Sequence, residues 1–202
     1  MSLIAVIDFE TTGLSPAMGD RATEVAIVLV ERGQTVDCFQ SLMNAGVRLS
    51  PFITQFTGIT NAMVTCAPSA ACVMSDARRF VGTAPLVAHN AAFDRKFWQA
   101  ELQRADQSAD HAFACTLLVS RRLYPHAPSH QLGVLANFHS LPVAGRAHRA
   151  LADAQMAAAL LGQIQSDLRT RHRVAQPNHA MLMALQRCAR PAVPALLGRY
   201  AV

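Results

Sequence analysis

The sequence predicts an α/β domain, and three observations carry that prediction. Residues 3 to 7 (Leu-Ile-Ala-Val-Ile) form an unbroken apolar run closed by Asp8-x-Glu10. Two more strand-like stretches follow, joined by a tight turn at Arg32-Gly33. Farther along, short apolar runs alternate with longer stretches of helical character, as expected of strand–helix units.

Taken in order, the first run reads as a fully buried strand, although a window so short is compatible with helix as well. Residues 15 to 20 (Ser-Pro-Ala-Met-Gly-Asp) are turn-rich. Residues 23 to 31 and about 34 to 42 are the second and third strands, so the amino-terminal part predicts an antiparallel meander. Pro51 and Gly58-Ile59-Thr60-Asn61 place short helical turns over residues 51 to 63. Pro68-Ser69 opens a helix to about Val81. A short strand at residues 85 to 88 leads through His89-Asn90 into a helix over about 91–104. A strand near 112–115 precedes helices over 116–122 and about 130–137. An Ala- and Leu-rich helix covers about 150–168, and a tail around Pro177, Pro191 and Pro194 holds a helix candidate at Ala180–Leu185. That tail is expected to pack on its own domain, with binding of a partner protein or of another copy of the chain as the alternatives.

Composition narrows the function classes. With 202 residues, 51% hydrophobic and 15% charged, the chain is globular, one domain or one domain with an appendage. No window approaches eighteen apolar residues, and Asp8 interrupts an amino terminus that lacks a basic region, so neither a membrane span nor a signal peptide is expected. Five cysteines without a C-x-x-C pair argue for a reducing, cytoplasmic setting and against zinc, with buried free thiols expected at all five. A net charge of +5 suits a polyanionic partner, without a dense basic block. All eighteen basic residues but Lys96 are Arg, which is compatible with phosphate-binding forks but is better accounted for by composition bias, as is the abundance of Ala.

Three stretches carry chemistry. If residues 3 to 7 are a strand, Asp8 and Glu10 project to one side at its end. Two carboxylates that close repel unless a cation lies between them, and hard ions such as Mg²⁺ or Mn²⁺ take carboxylate oxygens. Alone, such a pair at a strand end is more often a solvated rim. In His89-Asn90-x-x-Phe93-Asp94, Asn90 is placed to cap the helix and Asp94 to lie one turn in, aimed at the strand end; Phe93 reads as core. An acid there also simply suits the helix dipole. In His148-Arg149-Ala150-x-x-Asp153, five residues of helix turn roughly 500°, so His148 and Asp153 share a site only if His148 sits in the loop before the helix. Gly145 and Arg146 suit such a loop.

In this order, Asp8-x-Glu10-Thr-Thr-Gly, His89-Asn90-x-x-Phe93-Asp94 and His148-Arg149-Ala150-x-x-Asp153 resemble the three exonuclease motifs of the DEDDh, or DnaQ-like, family. That family includes the proofreading epsilon subunit of bacterial DNA polymerase III. The resemblance spans roughly residues 3 to 166 and takes in Gly19-Asp20-Arg21-x-x-Glu24, Thr57-Gly58-Ile59-Thr60 and Gln131-Leu132-Gly133-x-Leu135. It implies a ribonuclease H-like fold, a mixed five-stranded sheet flanked by helices. It implies an exonuclease domain over residues 1–168 and a helical tail over 169–202. Asp8, Glu10, Asp94 and Asp153 match its four metal-binding carboxylates, for two Mg²⁺ or Mn²⁺ ions, and His148 matches its general base. Thr11, Thr12, Gly13 and Leu14 match the loop that holds the terminal 3′ nucleotide, and Asn90 matches a residue that orients the second motif. The activity implied is stepwise 3′-to-5′ hydrolysis of single-stranded DNA or frayed ends to nucleoside 5′-monophosphates, in proofreading or repair, with a DNA polymerase as a possible partner.

Phe9 and Phe56-Thr57 differ from the residues expected of the epsilon subunit itself, which makes the likeness one to a relative of that subunit. RNA trimming within the same family uses the same five residues and stays open. A non-catalytic polymerase scaffold would be expected to lack a carboxylate or the histidine, and this chain has all five. No His-x-Asp/Glu, Walker loop or Gly-x-Ser-x-Gly elbow points elsewhere.

Overall fold

The computed structural model describes residues 3–142 and 148–201. The loop expected at Gly145 and Arg146 lies outside the described residues.

Five strands form one mixed sheet: β1 (Ile4–Thr11), β2 (Ala22–Glu31), β3 (Gln34–Leu42), β4 (Leu86–Ala88) and β5 (Phe113–Cys115), in the order β3-β2-β1-β4-β5. The first three are the expected antiparallel meander, and β4 and β5 add to β1 in parallel. β1 is central, and helices cover both its faces, which is why residues 4 to 7 are apolar without alternation. It runs to Thr11 and carries Asp8 and Glu10 at its end, as expected, because β2 goes on pairing with Asp8, Phe9 and Glu10.

The period of two along β1 sorts its side chains between two cores. Ile4 and Val6 face a core with α7 (Ala150–Thr170), whose Ala150, Ala154, Ala157 and Ala158 let the helix approach the sheet closely. Ala5, Ile7 and Phe9 face the opposite core with α3 (Ala70–Val81) and α4 (Ala91–Arg104). Asp8 and Glu10 therefore belong to the α7 side. The other helices are α1 (Pro51–Thr57), α2 (Asn61–Thr65), α5 (Thr116–Leu123), α6 (Leu132–Phe138), α8 (His179–Arg187) and α9 (Val193–Gly198). Among the described residues, no helix is long and apolar enough to cross a membrane.

Of the possibilities for the tail, packing on its own domain is the one observed. Met181, Leu182, Leu185, Val193 and Leu197 join the α7-side core. Gln186 of α8 accepts from the Cys115 N–H (2.6 Å) and donates to the Phe113 carbonyl (3.3 Å), so one side-chain amide pairs the open edge of β5. His179 Nε2 reaches the Leu86 carbonyl at 2.9 Å.

The five thiols are free, but only Cys115 is fully buried; Cys38, Cys66 and Cys72 are exposed, contrary to expectation. Cys38 is exposed because β3 is an edge strand with most of its residues open to solvent, and so small a side chain is tolerated there.

Candidate active site

The parallel pairing of β1 with β4 sets the carboxyl ends of both strands side by side, the usual place for a ligand in an α/β sheet. β1 delivers Asp8 and Glu10 to this edge. β4 delivers the start of α4, and α7 begins above them.

Carboxylate oxygens of Asp8, Glu10 and Asp153 all lie within 4.8 Å of one another. Asp94 is buried at the start of α4 and its charge is felt at Asp8. Burial, then the charges of Asp94, Asp153, Glu10 and Glu24, push the Asp8 carboxyl well above the usual range. Burial, followed by Asp153 and Glu24, raises Glu10 to about 8, with Arg149 opposing. Burial raises Asp94 to about 8 against the pull of the Phe9 backbone N–H, and raises Asp153 against the pull of His148. Each of these groups is short of positive charge, which is the electrostatic condition for binding protons or cations.

His148 lies in the loop before α7, as the helical geometry requires, with φ 60°. Its main-chain N–H donates to Asp153 Oδ2 at 3.3 Å. Its ring stacks on Phe56 of α1, with centroids 3.9 Å apart. The start of α7 is pinned from beneath. Fully buried Glu24 of β2 receives two bonds from Arg149 (3.0 and 2.8 Å), one from the Ala150 N–H (3.1 Å) and one from Gln40 (2.7 Å). Burial alone would raise the Glu24 carboxyl; these donors outweigh it and hold the group below its ordinary value.

The loop after β1 is fixed by its own side chains. Thr11 Oγ1 donates to the Gly13 carbonyl (2.6 Å), and Thr12 and Arg21 exchange backbone and hydroxyl bonds at 2.9 and 3.0 Å. Asp20 accepts from the Ser15 N–H (2.9 Å) and lies so near Gly13 that a Cβ there would overlap its carboxylate. Arg21 and the Ala22 N–H in turn bind buried Glu101 of α4. Leu14 is left at the tip, 78% exposed. These bonds give a physical account of Gly19-Asp20-Arg21-x-x-Glu24: each polar member holds one side of the site.

The carboxylates open into a cavity of about 640 Å³, walled by the Thr11–Leu14 loop on one side and by Phe52, Ile53, Phe56 and His148 on the other. Phe93, expected in the core, is half-buried and lines this cavity, because the first turn of α4 is aimed at it. Asn90 occupies the N-cap position but does not cap. Its backbone is left-handed (φ 66°), whereas a capping side chain needs extended backbone, so its exposed amide is free of the helix. Sequence reading missed the aromatic wall of α1; its signal was Phe52-x-x-x-Phe56, an i,i+4 pair on one helix face.

Comparison with known proteins agrees with this geometry. A family model described as Exonuclease (RNase_T) matches residues 5–161. The PolC-type DNA polymerase III of Oceanobacillus iheyensis is 38% identical over 160 residues, covering 79% of this chain but 11% of that protein. The PolC-type polymerase of Bacillus subtilis is 36% identical over 164 residues, covering 80% of this chain and 11% of its own length. The chain thus spans about a tenth of these relatives. Among solved structures, exonuclease X in complex with 5′ overhanging duplex DNA is 30% identical with a TM-score of 0.67, covering 81% of this chain and 91% of that one. The nuclease domain of 3′hExo, a DEDDh family member bound to rAMP, shares the fold at 22% identity and a TM-score of 0.70, with 82% and 92% covered. With the family model running from the first residues of β1 into α7, the chain belongs to the exonuclease family which that model describes, in line with the DEDDh resemblance of its motifs.

Proposed function

We propose that this protein removes nucleotides one at a time from unpaired 3′ ends of DNA, in proofreading or repair in the cytoplasm. The observation that carries the reading is the convergence of Asp8, Glu10 and Asp153, with Asp94 beside them, at the floor of a cavity with an apolar wall. The polymerase relatives and the DNA held by exonuclease X support DNA as the substrate and a polymerase as the functional partner.

The donor set is all oxygen, which fits hard divalent ions, so Asp8, Glu10, Asp94 and Asp153 would hold two Mg²⁺ or Mn²⁺. Such ions, when bound, supply an activated water and neutralise charge on the phosphate. The remaining work falls to the chain. Thr11, Thr12 and Gly13 present to the terminal sugar the backbone of a loop braced by its own hydroxyls, and exposed Leu14 packs on its base. Asn90 offers its free amide to the backbone of the bound strand. A water attacks the last phosphodiester, and His148 accepts its proton. The bond from phosphorus to the preceding 3′ oxygen breaks, that oxygen takes a proton from solvent, and a nucleoside 5′-monophosphate leaves. A neutral imidazole can take a proton from water in this way. The cavity lies within the span of about 300–1,000 Å³ common for small-ligand pockets, so it suits an unpaired terminus.

A 5′-labelled DNA oligonucleotide, single-stranded or duplex, beside its RNA counterpart, tests the proposal. Shortening from the 3′ end of the single-stranded DNA with Mg²⁺ or Mn²⁺, and none with chelator, is expected. Cutting of a circular single strand, or activity that survives chelation, would overturn it; preference for the RNA would overturn the DNA assignment.

A further inference from the structure

A histidine that works as a base needs its ring held in one orientation. The common device is a hydrogen bond from the second ring nitrogen to a carbonyl or carboxylate. Among the described residues, His148 has no such bond; its one hydrogen bond comes from its main-chain N–H. What its ring touches is Phe56, 3.9 Å away between centroids and 28° from parallel. Phe56 is itself stacked on Phe52, at 5.9 Å and 11°, so three rings form a column that ends at the carboxylate cluster. The column stands on α1, whose two ends are fixed by the Ser50 cap and the left-handed Gly58. Neither phenylalanine serves the core, since Phe52 is 70% and Phe56 46% exposed. The left-handed backbone at His148 is a conformation that persists only where surrounding contacts enforce it.

We propose that Phe56 is a positioning residue for His148. Its ring takes the place of the customary hydrogen bond and sets the plane of the imidazole over the site; among the described residues both ring nitrogens are left without a partner, one for the water proton and one for its release to solvent. This rests on the reading of His148 as the general base.

Single-turnover kinetics on a 5′-labelled single-stranded DNA oligonucleotide with Mn²⁺ test it in wild type, Phe56→Ala, His148→Ala, the double variant and Phe56→Tyr. Phe56→Ala is expected to lower the saturating rate roughly tenfold or more, with the half-saturation concentration held within about twofold. In the His148→Ala background the same change should cost less than about twofold, because the group it positions is gone. Phe56→Tyr keeps the ring and should retain most of the rate. A weaker half-saturation with an unchanged rate would make Phe56 a platform for the substrate base and overturn the proposal. Losses that multiply in the double variant would do the same. If His148→Ala itself leaves the rate within about twofold, the general-base reading is what fails, and the proposal falls with it.

Discussion

Asp8, Asp153 and His148 sit within one small volume yet differ in what their loss should do. Asp8→Ala or Asp153→Ala removes a carboxylate from the cluster, so Mn²⁺ affinity measured by calorimetry should collapse together with turnover. His148→Ala should leave Mn²⁺ binding nearly unchanged while turnover drops about 10²–10⁴-fold. A variant at His148 that loses the metal would instead mark it as a ligand. Glu24 shows how buried support serves the same volume. It is fully buried, and among the described residues Arg149 is its only partner in a salt bridge. Arg149→Ala would strand a buried carboxylate and is expected to cost about 3 kcal/mol, the lower end for a broken buried pair, because the Gln40 and Ala150 donors remain. Thermal or urea unfolding measures this; a cost under about 0.5 kcal/mol, the scale of ordinary surface changes, would show that the pair does not anchor α7.

At the scale of elements, α8 stands in for a sixth strand. The amide of Gln186 pairs with the Cys115 N–H and the Phe113 carbonyl, and three apolar residues of the same helix enter the core. The position of the three motifs, all upstream of residue 154, leads to the expectation that removing residues 176 to 202 spares the active site. Packing changes the expected outcome, since the truncation would uncover both the edge of β5 and the apolar face beneath α8. Such a chain should unfold at markedly lower temperature and aggregate. Gln186→Ala separates the two effects. It is expected to cost about 1–3 kcal/mol by leaving two backbone groups unpaired, with turnover per folded molecule unaltered. Circular dichroism melts of both variants, with rates measured well below the transitions, provide the check. A truncated chain that melts like the full one would show that α8 merely rests on the sheet.

For the molecule as a whole, the carboxylate cluster makes stability depend on pH and on metal. Glu10 and Asp94 ordinarily titrate at 4.5 and 3.8, and each is raised to about 8 in the fold. Between these values the folded state holds more protons than the unfolded one, so metal-free stability falls as pH rises through that window. In chelator, the melting temperature should be higher at pH 5.5 than at pH 8.5. At pH 8.5, Mg²⁺ or Mn²⁺ at about 100 times Kd should raise it by roughly 5–10 °C, and by less at pH 5.5, where protons compete for the same oxygens. Scanning calorimetry at the two pH values, with and without metal, decides the matter. A metal-free melting temperature that climbs from pH 5.5 to 8.5 would contradict the electrostatics of the site.

Much of this was legible in the sequence because it depends on local pattern. The apolar run before Asp8 marks a strand buried on both faces, the turn at Arg32-Gly33 marks the meander, and the spacing from His148 to Asp153 places a loop before a helix. The order of the acidic motifs points to the family. Other features depend on which elements meet, and no local pattern records that. Glu24 reads as an ordinary polar position in a strand until α7 lays Arg149 across it. Asn90 has the sequence of a cap, but the turn out of β4 forces left-handed backbone and takes its side chain off the helix. Phe56 and His148 lie far apart in the chain, and their stacking exists only because α1 and the residues leading into α7 meet along one wall of the cavity. The sequence by itself determined the strands, the helices and the chemical groups the site could draw on. Tertiary structure alone decided which charges are buried together, what offsets them and which ring orients which, because burial and proximity arise only when distant segments pack.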